Sequence, residues 1–325
     1  MRFLAFFFNL LEPFFRFGQQ RLGLQRLGWL FVAPNLIVFG LFCFLPILIN
    51  LVYAVTGGVQ LMPLSRPFTG AENFQILFEC GNYLDLSTCR KDVFWRAIFN
   101  TLKFSFIQVG LMVLLAMVTA LVLNRKILGR GFWRGVFFYP VLLSPVVVAL
   151  IWKWLLQSQG AFNAGLVAME WAPVQWLTDS GWAFFWTVFV SIWAHMGFYT
   201  LILLAGLQAI PKDLYEAAEM DRASPWRTLT RITLPLLMPN LIVVLVLAAI
   251  RAVQVFDEVF VLTGGGPGSA TTFIVQFIYQ TGFAEQIHLY GLAAAASLTL
   301  AFFLIVLTLA QLRLTRASEA GQKGR

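Results

Sequence analysis

The chain has 325 residues, of which 59% are hydrophobic and 12% charged, with a mean hydropathy of +0.79. So little charge excludes an ordinary soluble domain of this length, and the repeated apolar stretches of about 20 residues are transmembrane material. The net charge of +8 does not imply nucleic acid, because no soluble basic domain carries it.

Six spans are expected, at 29–56, 97–123, 133–156, 183–208, 238–262 and 287–312, which makes the fold class an all-α membrane protein. Lys and Arg number four in each of 1–28, 124–134, 209–237 and 313–325. The opposite set of connections holds Arg66, Arg90, Lys91 and Arg96, all within 57–96. Cytoplasmic loops carry the basic excess, so both termini and the 209–237 loop are expected in the cytoplasm, against lipid headgroups. The chain then divides into a cytoplasmic segment 1–28, a transmembrane domain 29–312 with an external loop 57–96, and a tail 313–325.

From the N-terminus, Phe3 to Leu11 is apolar, but Glu12-Pro13 follows and no small-residue cleavage site precedes span 1. That pattern reads as an interfacial helix, not a signal peptide. Cys43 in span 1 reads as a small buried apolar residue. Cys80 and Cys89 share the external loop, where an oxidising compartment permits a bridge; two free thiols that never meet are the other reading. Lys153 at the outer end of span 3 is expected to snorkel, and Trp152, Trp154, Trp182 and Trp186 to form an aromatic belt. In span 4, His195 lies near the middle with Tyr199 one turn on, and either lines a path or bonds a neighbouring helix.

Between Pro211 and Pro235 lie four acids, Asp213, Glu216, Glu219 and Asp221, and four bases, Lys212, Arg222, Arg227 and Arg231. A charged, helix-forming island between two spans is a docking surface for an aqueous partner. It reads as helix–turn–helix, with Asp213 as N-cap and Glu216 at N3, then Ser224 capping a second helix that begins at Pro225. Ala217 and Ala218 keep one face small for that partner, and Glu216 and Asp221 offer it acceptors. Pro235 and Pro239 are expected to break this segment from span 5.

Arg251 falls near the middle of span 5, where an ionisable group is costly and usually functional. In a continuous helix, residues 251, 254 and 258 share one face, so Arg251, Gln254 and Glu258, with Asp257, form a polar stripe. The stripe either lines a solute path or is spent on internal pairing of Arg251 with Asp257 or Glu258. Gly264 to Gly268 lacks the Lys-Ser/Thr of a phosphate loop and reads as a tight turn. The two histidines, His195 and His288, are far apart and no Cys/His cluster has metal-ligand spacing. A non-catalytic chain that binds no cofactor or metal of its own is expected.

Glu216-Ala217-Ala218, Asp221, Ala223 and Ile232-x-Leu234-Pro235 resemble the EAA loop of ATP-binding-cassette importer permeases. Phe256-Asp257-Glu258 through Thr263-Gly264-Gly265-Gly266-Pro267-Gly268, Tyr290-Gly291, Phe68-x-Gly70-x-Glu72-Asn73-Phe74 and Asn100-Thr101 are similar to the carbohydrate-uptake branch, and to the first of its two non-identical permeases. The likeness runs from about residue 30 to 312. It implies a type I ABC importer permease fold, N-in/C-in, in a bacterial or archaeal cytoplasmic membrane. It also implies ATPase coupling through Glu216, Ala217, Ala218, Asp221, Arg222, Ala223, Ile232, Leu234 and Pro235. The implied partners are a second permease subunit, two ATPase subunits that use ATP and Mg, and an extracytoplasmic solute-binding protein. The implied solute is a sugar, oligosaccharide or glycerol phosphate, and Arg251, Gln254, Asp257, Glu258, His195 and Tyr199 are expected along its path. Arg222 stands where the family has Gly, so its turn is either near right-handed or strained. An ATP-independent secondary transporter is the alternative, and predicts coupling-ion carboxylates inside the spans. The acids here cluster in loops and at span ends.

Overall fold

The computed structural model describes residue 29 and residues 31–323, so the expected interfacial helix over 1–28 lies outside the described residues. Helix α1 (Phe31–Ala54) is an apolar span with one π-turn at Gly40–Phe44. The connection that follows carries α2 (Glu72–Phe78) and leads to the second span, α3 (Asp92–Asn124). The expected straight third span is replaced by two pieces at 99°: α4 (Arg130–Phe138), extended by a 3-10 turn to Leu142, and α5 (Pro145–Leu156), followed by α6 (Ala161–Ala168). Proline causes the bend. Pro140 and Pro145 donate no backbone bond, and Pro145 keeps Ser144 extended at φ −61°, ψ 136°.

Next come α7 (Ser180–Ala209), capped by the Asp179 carboxylate on the N–H groups of Gly181 and Trp182, and α8 (Lys212–Met220). Helix α9 (Pro225–Val253) then runs unbroken through both prolines that were expected to interrupt it. A π-turn at Leu229–Thr233, in which Leu234 N–H donates to Leu229 O, opens the backbone just before Pro235 and makes room for its ring. Helix α10 (Asp257–Leu262), α11 (Ile274–Tyr279) and α12 (Tyr290–Lys323) complete the chain, with α12 continuing past the expected span end at 312.

α3, α7 and α9 form the centre. Met112, Ala116 and Ala120 repeat every fourth residue along α3 and are fully buried against Ile192, Leu203, Leu237, Val244 and Ala248. Lipid gives no hydrophobic drive between helices, so small residues that let backbones close in are what hold such a bundle. Gly206 of α7 makes that approach to Leu237 and Asn240 of α9. By contrast α1 meets mainly α12, through Asn50 Nδ2 donating to Ser297 Oγ at 2.8 Å, and Cys43 is exposed on it, not buried.

Conserving one end of the bundle are side-chain bonds between distant segments. Arg66 is buried, donating to Thr56 Oγ1 (3.0 Å) and Gln60 O (2.7 Å) beside the Tyr53 ring. Asn73 donates to Ala54 O, and Asn100 to Ser269 O. Cys80 and Cys89 are joined by a disulfide. The glycine run is a turn with positive φ at Gly264, Gly265 and Gly268, closed by Thr271 and Thr272 hydroxyls on its carbonyls. Two aromatic-end expectations change. Lys153 does not snorkel: its Nζ donates to Val261 O at 2.9 Å, in the last turn of α10. Trp152 and Trp186 lie tilted to each other, ring centroids 5.6 Å apart, within a packed aromatic cluster, whereas Trp154 and Trp182 are exposed.

Candidate solute path and coupling loop

The bend between α4 and α5 leaves a cavity of about 490 Å³. Pro140, Val141, Leu143 and Pro145 wall it on one side, His195, Phe198 and Tyr199 of α7 on another, and Leu247 and Arg251 of α9 on a third. α7 reaches the bend because Gly197, two residues past His195, faces the backbone of Phe137 and Phe138 with no side chain between.

The polar groups in this cavity are connected. His195 is buried, and its Nδ1 lies 2.8 Å from Ser191 O, one turn back. A carbonyl only accepts, so Nδ1 carries the proton. The other ring nitrogen, Nε2, meets Nη2 of Arg251. A guanidinium only donates, so Nε2 accepts and the imidazole is neutral. Ser191 Oγ donates to Glu258 Oε1 at 3.3 Å, which makes a chain Arg251–His195–Ser191–Glu258 across α9, α7 and α10.

The expected stripe of 251, 254 and 258 is not one helical face. α9 stops at Val253, Gln254 is its C-cap, and Phe256 turns the chain at φ −147°, ψ −65° before α10 begins. Arg251 does not pair with Asp257 or Glu258 either, because the turn carries both acids away from its fork. Asp257 and Gln254 are exposed, and Glu258 is buried in the first turn of α10, where a carboxylate suits the helix dipole. Sequence reading missed Ser191, although its place four residues before His195 is the one from which a helix carbonyl reaches the ring.

At the opposite end, α8 and the start of α9 form the helix–turn–helix. The expected Asp213 cap is absent: Pro211 holds the N-cap position in extended conformation, and Asp213 falls in the first turn. Ser224 does cap the second helix, its Oγ accepting from Arg227 N–H at 3.3 Å. Between them Ala223 N–H donates to Ala218 O and Arg222 N–H to Glu219 O, the Schellman closure, with Arg222 at φ +51° in the position that favours glycine. Ala218 is buried inside this chain, so it serves the loop's own packing. Glu216, Ala217, Asp221 and Arg222 are exposed, together with Met220 and Trp226. Ala223, Ile232 and Leu234 are half-buried, and Pro235 is exposed. Tyr215 Oη, 3.1 Å from Thr233 Oγ1, ties α8 to the π-turn.

Residues 112–320, which hold the whole of this loop and the cavity's α7 and α9 walls, match the family of binding-protein-dependent transport system inner membrane components. The chain belongs to that family. It is 38% identical over 292 residues to the trehalose/maltose transport system permease protein MalF of Thermococcus litoralis, covering 90% of this chain and 94% of the relative. It is 30% identical to the multiple sugar-binding transport system permease protein MsmF of Streptococcus mutans, covering 90% and 96%. Among solved structures, a bacterial ABC transporter involved in import of the acidic polysaccharide alginate aligns with TM-score 0.75 at 28% identity, over 90% of this chain and 95% of that one. The protein is thus a multi-pass, non-catalytic permease subunit of a binding-protein-dependent ABC importer, and ATP hydrolysis belongs to a separate subunit. The secondary-transporter alternative falls with that membership.

Proposed function

We propose that this permease carries a sugar or oligosaccharide through the cavity at the α4–α5 bend, which Arg251, His195 and Tyr199 line. The observation that carries this reading is the guanidinium inside a span with no carboxylate in ion-pair reach among the described residues, facing a cavity of about 490 Å³. Such a charge is costly in a bilayer unless water or a polar ligand meets it, and its fixed donors suit hydroxyl pairs. The relatives' names, trehalose/maltose and multiple sugars, favour the same solute class. Gln254, Asp257 and Glu258 extend the path beyond the α9–α10 turn.

In this reading both termini and the 209–237 loop are cytoplasmic, supported by the basic residues of the connecting segments. Glu216, Ala217, Asp221 and Arg222 dock on an ATPase that uses ATP and Mg, while Ala218, Ala223, Ile232, Leu234 and Pro235 shape the loop. A second permease, two ATPase copies and a solute-binding protein complete the importer. The test is Arg251→Gln in the assembled importer in proteoliposomes. Uptake of radiolabelled trehalose or maltose is expected to fall at least about tenfold, the worth of one charged hydrogen bond, with ATP hydrolysis retained. Undiminished uptake would reject the path.

A further inference from the structure

We infer that His195 is a positioning residue that holds Arg251 by a bond available only to its neutral Nδ1-protonated ring, so that protonation of His195 releases the guanidinium and slows transport. The inference rests on the path proposed above and adds to it a defined tautomer and a dependence on pH.

Both ring nitrogens are committed. Nδ1 donates to Ser191 O, which fixes the ring plane and leaves Nε2 as the acceptor for Arg251 Nη2. A second proton can only go to Nε2, and there it replaces a donor–acceptor contact with two cations face to face. The ionisable groups around the ring are Arg251 from α9, Tyr199 from its own helix and Glu258 from α10, while the α4–α5 bend contributes Pro140, Val141, Leu143 and Pro145 and no charge. Glu258 is occupied by the Ser191 hydroxyl and does not reach the guanidinium. Once displaced, Arg251 has no carboxylate to receive it among the described residues, so its fork swings within the cavity. A donor set that must meet a solute in fixed geometry loses that geometry.

The chain's two histidines make the tautomer directly readable. The full-length chain, isotope-labelled at histidine ring nitrogens in lipid nanodiscs, gives two ring systems by magnetic resonance, and His288→Gln assigns them. His195 is expected to be Nδ1-protonated at neutral pH, the less common form of a free imidazole. In Arg251→Gln its Nε2 resonance is expected to move, because the donor that nitrogen accepts from has gone. An Nε2-protonated ring, or an Nε2 resonance indifferent to Arg251→Gln, overturns the inference.

Uptake supplies the second arm, with radiolabelled trehalose and maltose in proteoliposomes of the assembled importer. On acidification from about pH 7.5, wild-type uptake is expected to fall several-fold as the ring takes its second proton. His195→Gln, whose amide oxygen still accepts from Arg251, is expected to transport less at every pH but with a flat ratio over the same acidification. The same acid fall in His195→Gln would sink the latch while leaving the path intact. Loss of uptake in Arg251→Gln accompanied by a wrong His195 tautomer separates the two in the same way, and unaltered uptake in Arg251→Gln removes the path itself.

Discussion

A Cβ on Gly197 would stand 2.1 Å from the carbonyl oxygen of Phe137. That contact joins the middle of α7 to the last turn of α4, next to the bend that walls the cavity. Nothing flexible lies there to yield, since the obstructing atoms are backbone.

Gly197→Ala is therefore expected to push α4 from α7, costing about 1–3 kcal/mol as an overpacked core position does. Gly165→Ala, which meets nothing within 4 Å, is the matched control. Thermal unfolding of the purified proteins checks it: a melting temperature for Gly197→Ala equal to the control's would mean that the helices part freely.

The loop residues Ala217 and Ala218 are expected to respond differently to bulk. Ala217→Trp adds a ring to an exposed face and leaves the fold intact, but blocks docking and abolishes solute-stimulated ATP hydrolysis by the assembled importer. Ala218→Trp forces a ring into a position 7% exposed within this chain and lowers the chain's own stability. Equal ATPase activity in Ala217→Trp and wild type would remove this face from the contact.

Arg222 sits at φ +51°, a conformation that disfavours a side chain by about 1–2 kcal/mol. Arg222→Gly relieves that strain but adds freedom to the unfolded chain worth about 0.4–1 kcal/mol. A small net stabilisation is expected, whereas Arg222→Val, with a branched Cβ, should destabilise. The two melting curves must move in opposite directions.

Thr101 accepts the Ile274 N–H at 2.9 Å and donates to Ala97 O at 2.7 Å, locking α11 onto α3. Thr101→Val keeps the shape but strands a buried N–H, a loss of about 1–3 kcal/mol. Hydrogen exchange at the Ile274 amide should accelerate in the variant, and an unchanged rate would show that the hydroxyl is dispensable.

Much of this fold can be read from local pattern. Twenty-residue apolar runs mark α1, α3 and α7, and Ser224-Pro225 marks a helix start, because length and capping are properties of neighbouring residues. The α4–α5 bend is also written locally, in Pro140 and Pro145, yet hydropathy alone reads through it. The helix break after Val253 has no Pro or Gly to announce it. It is imposed by packing, with Val255 and Val259 buried in the central core. That break is why the expected 251–254–258 face does not exist. The partnership of Arg251 and His195 is illegible for another reason: the residues lie 56 positions apart on different helices, and only the Gly197 approach and the bend bring them to one cavity.

The π-turn at Leu229–Thr233 spares α9 a joint. From Trp226 to Arg251 the helix is continuous, roughly 38 Å long at 1.5 Å per residue. A hinge at Pro235 or Pro239 would have dissipated any tilt of its loop end within a turn or two. Over that length a rotation of about 5° about one end sweeps the other through roughly 3 Å, the span of a hydrogen bond. The exposed indole of Trp226 and the guanidinium in the cavity thus stand near the two ends of one helix.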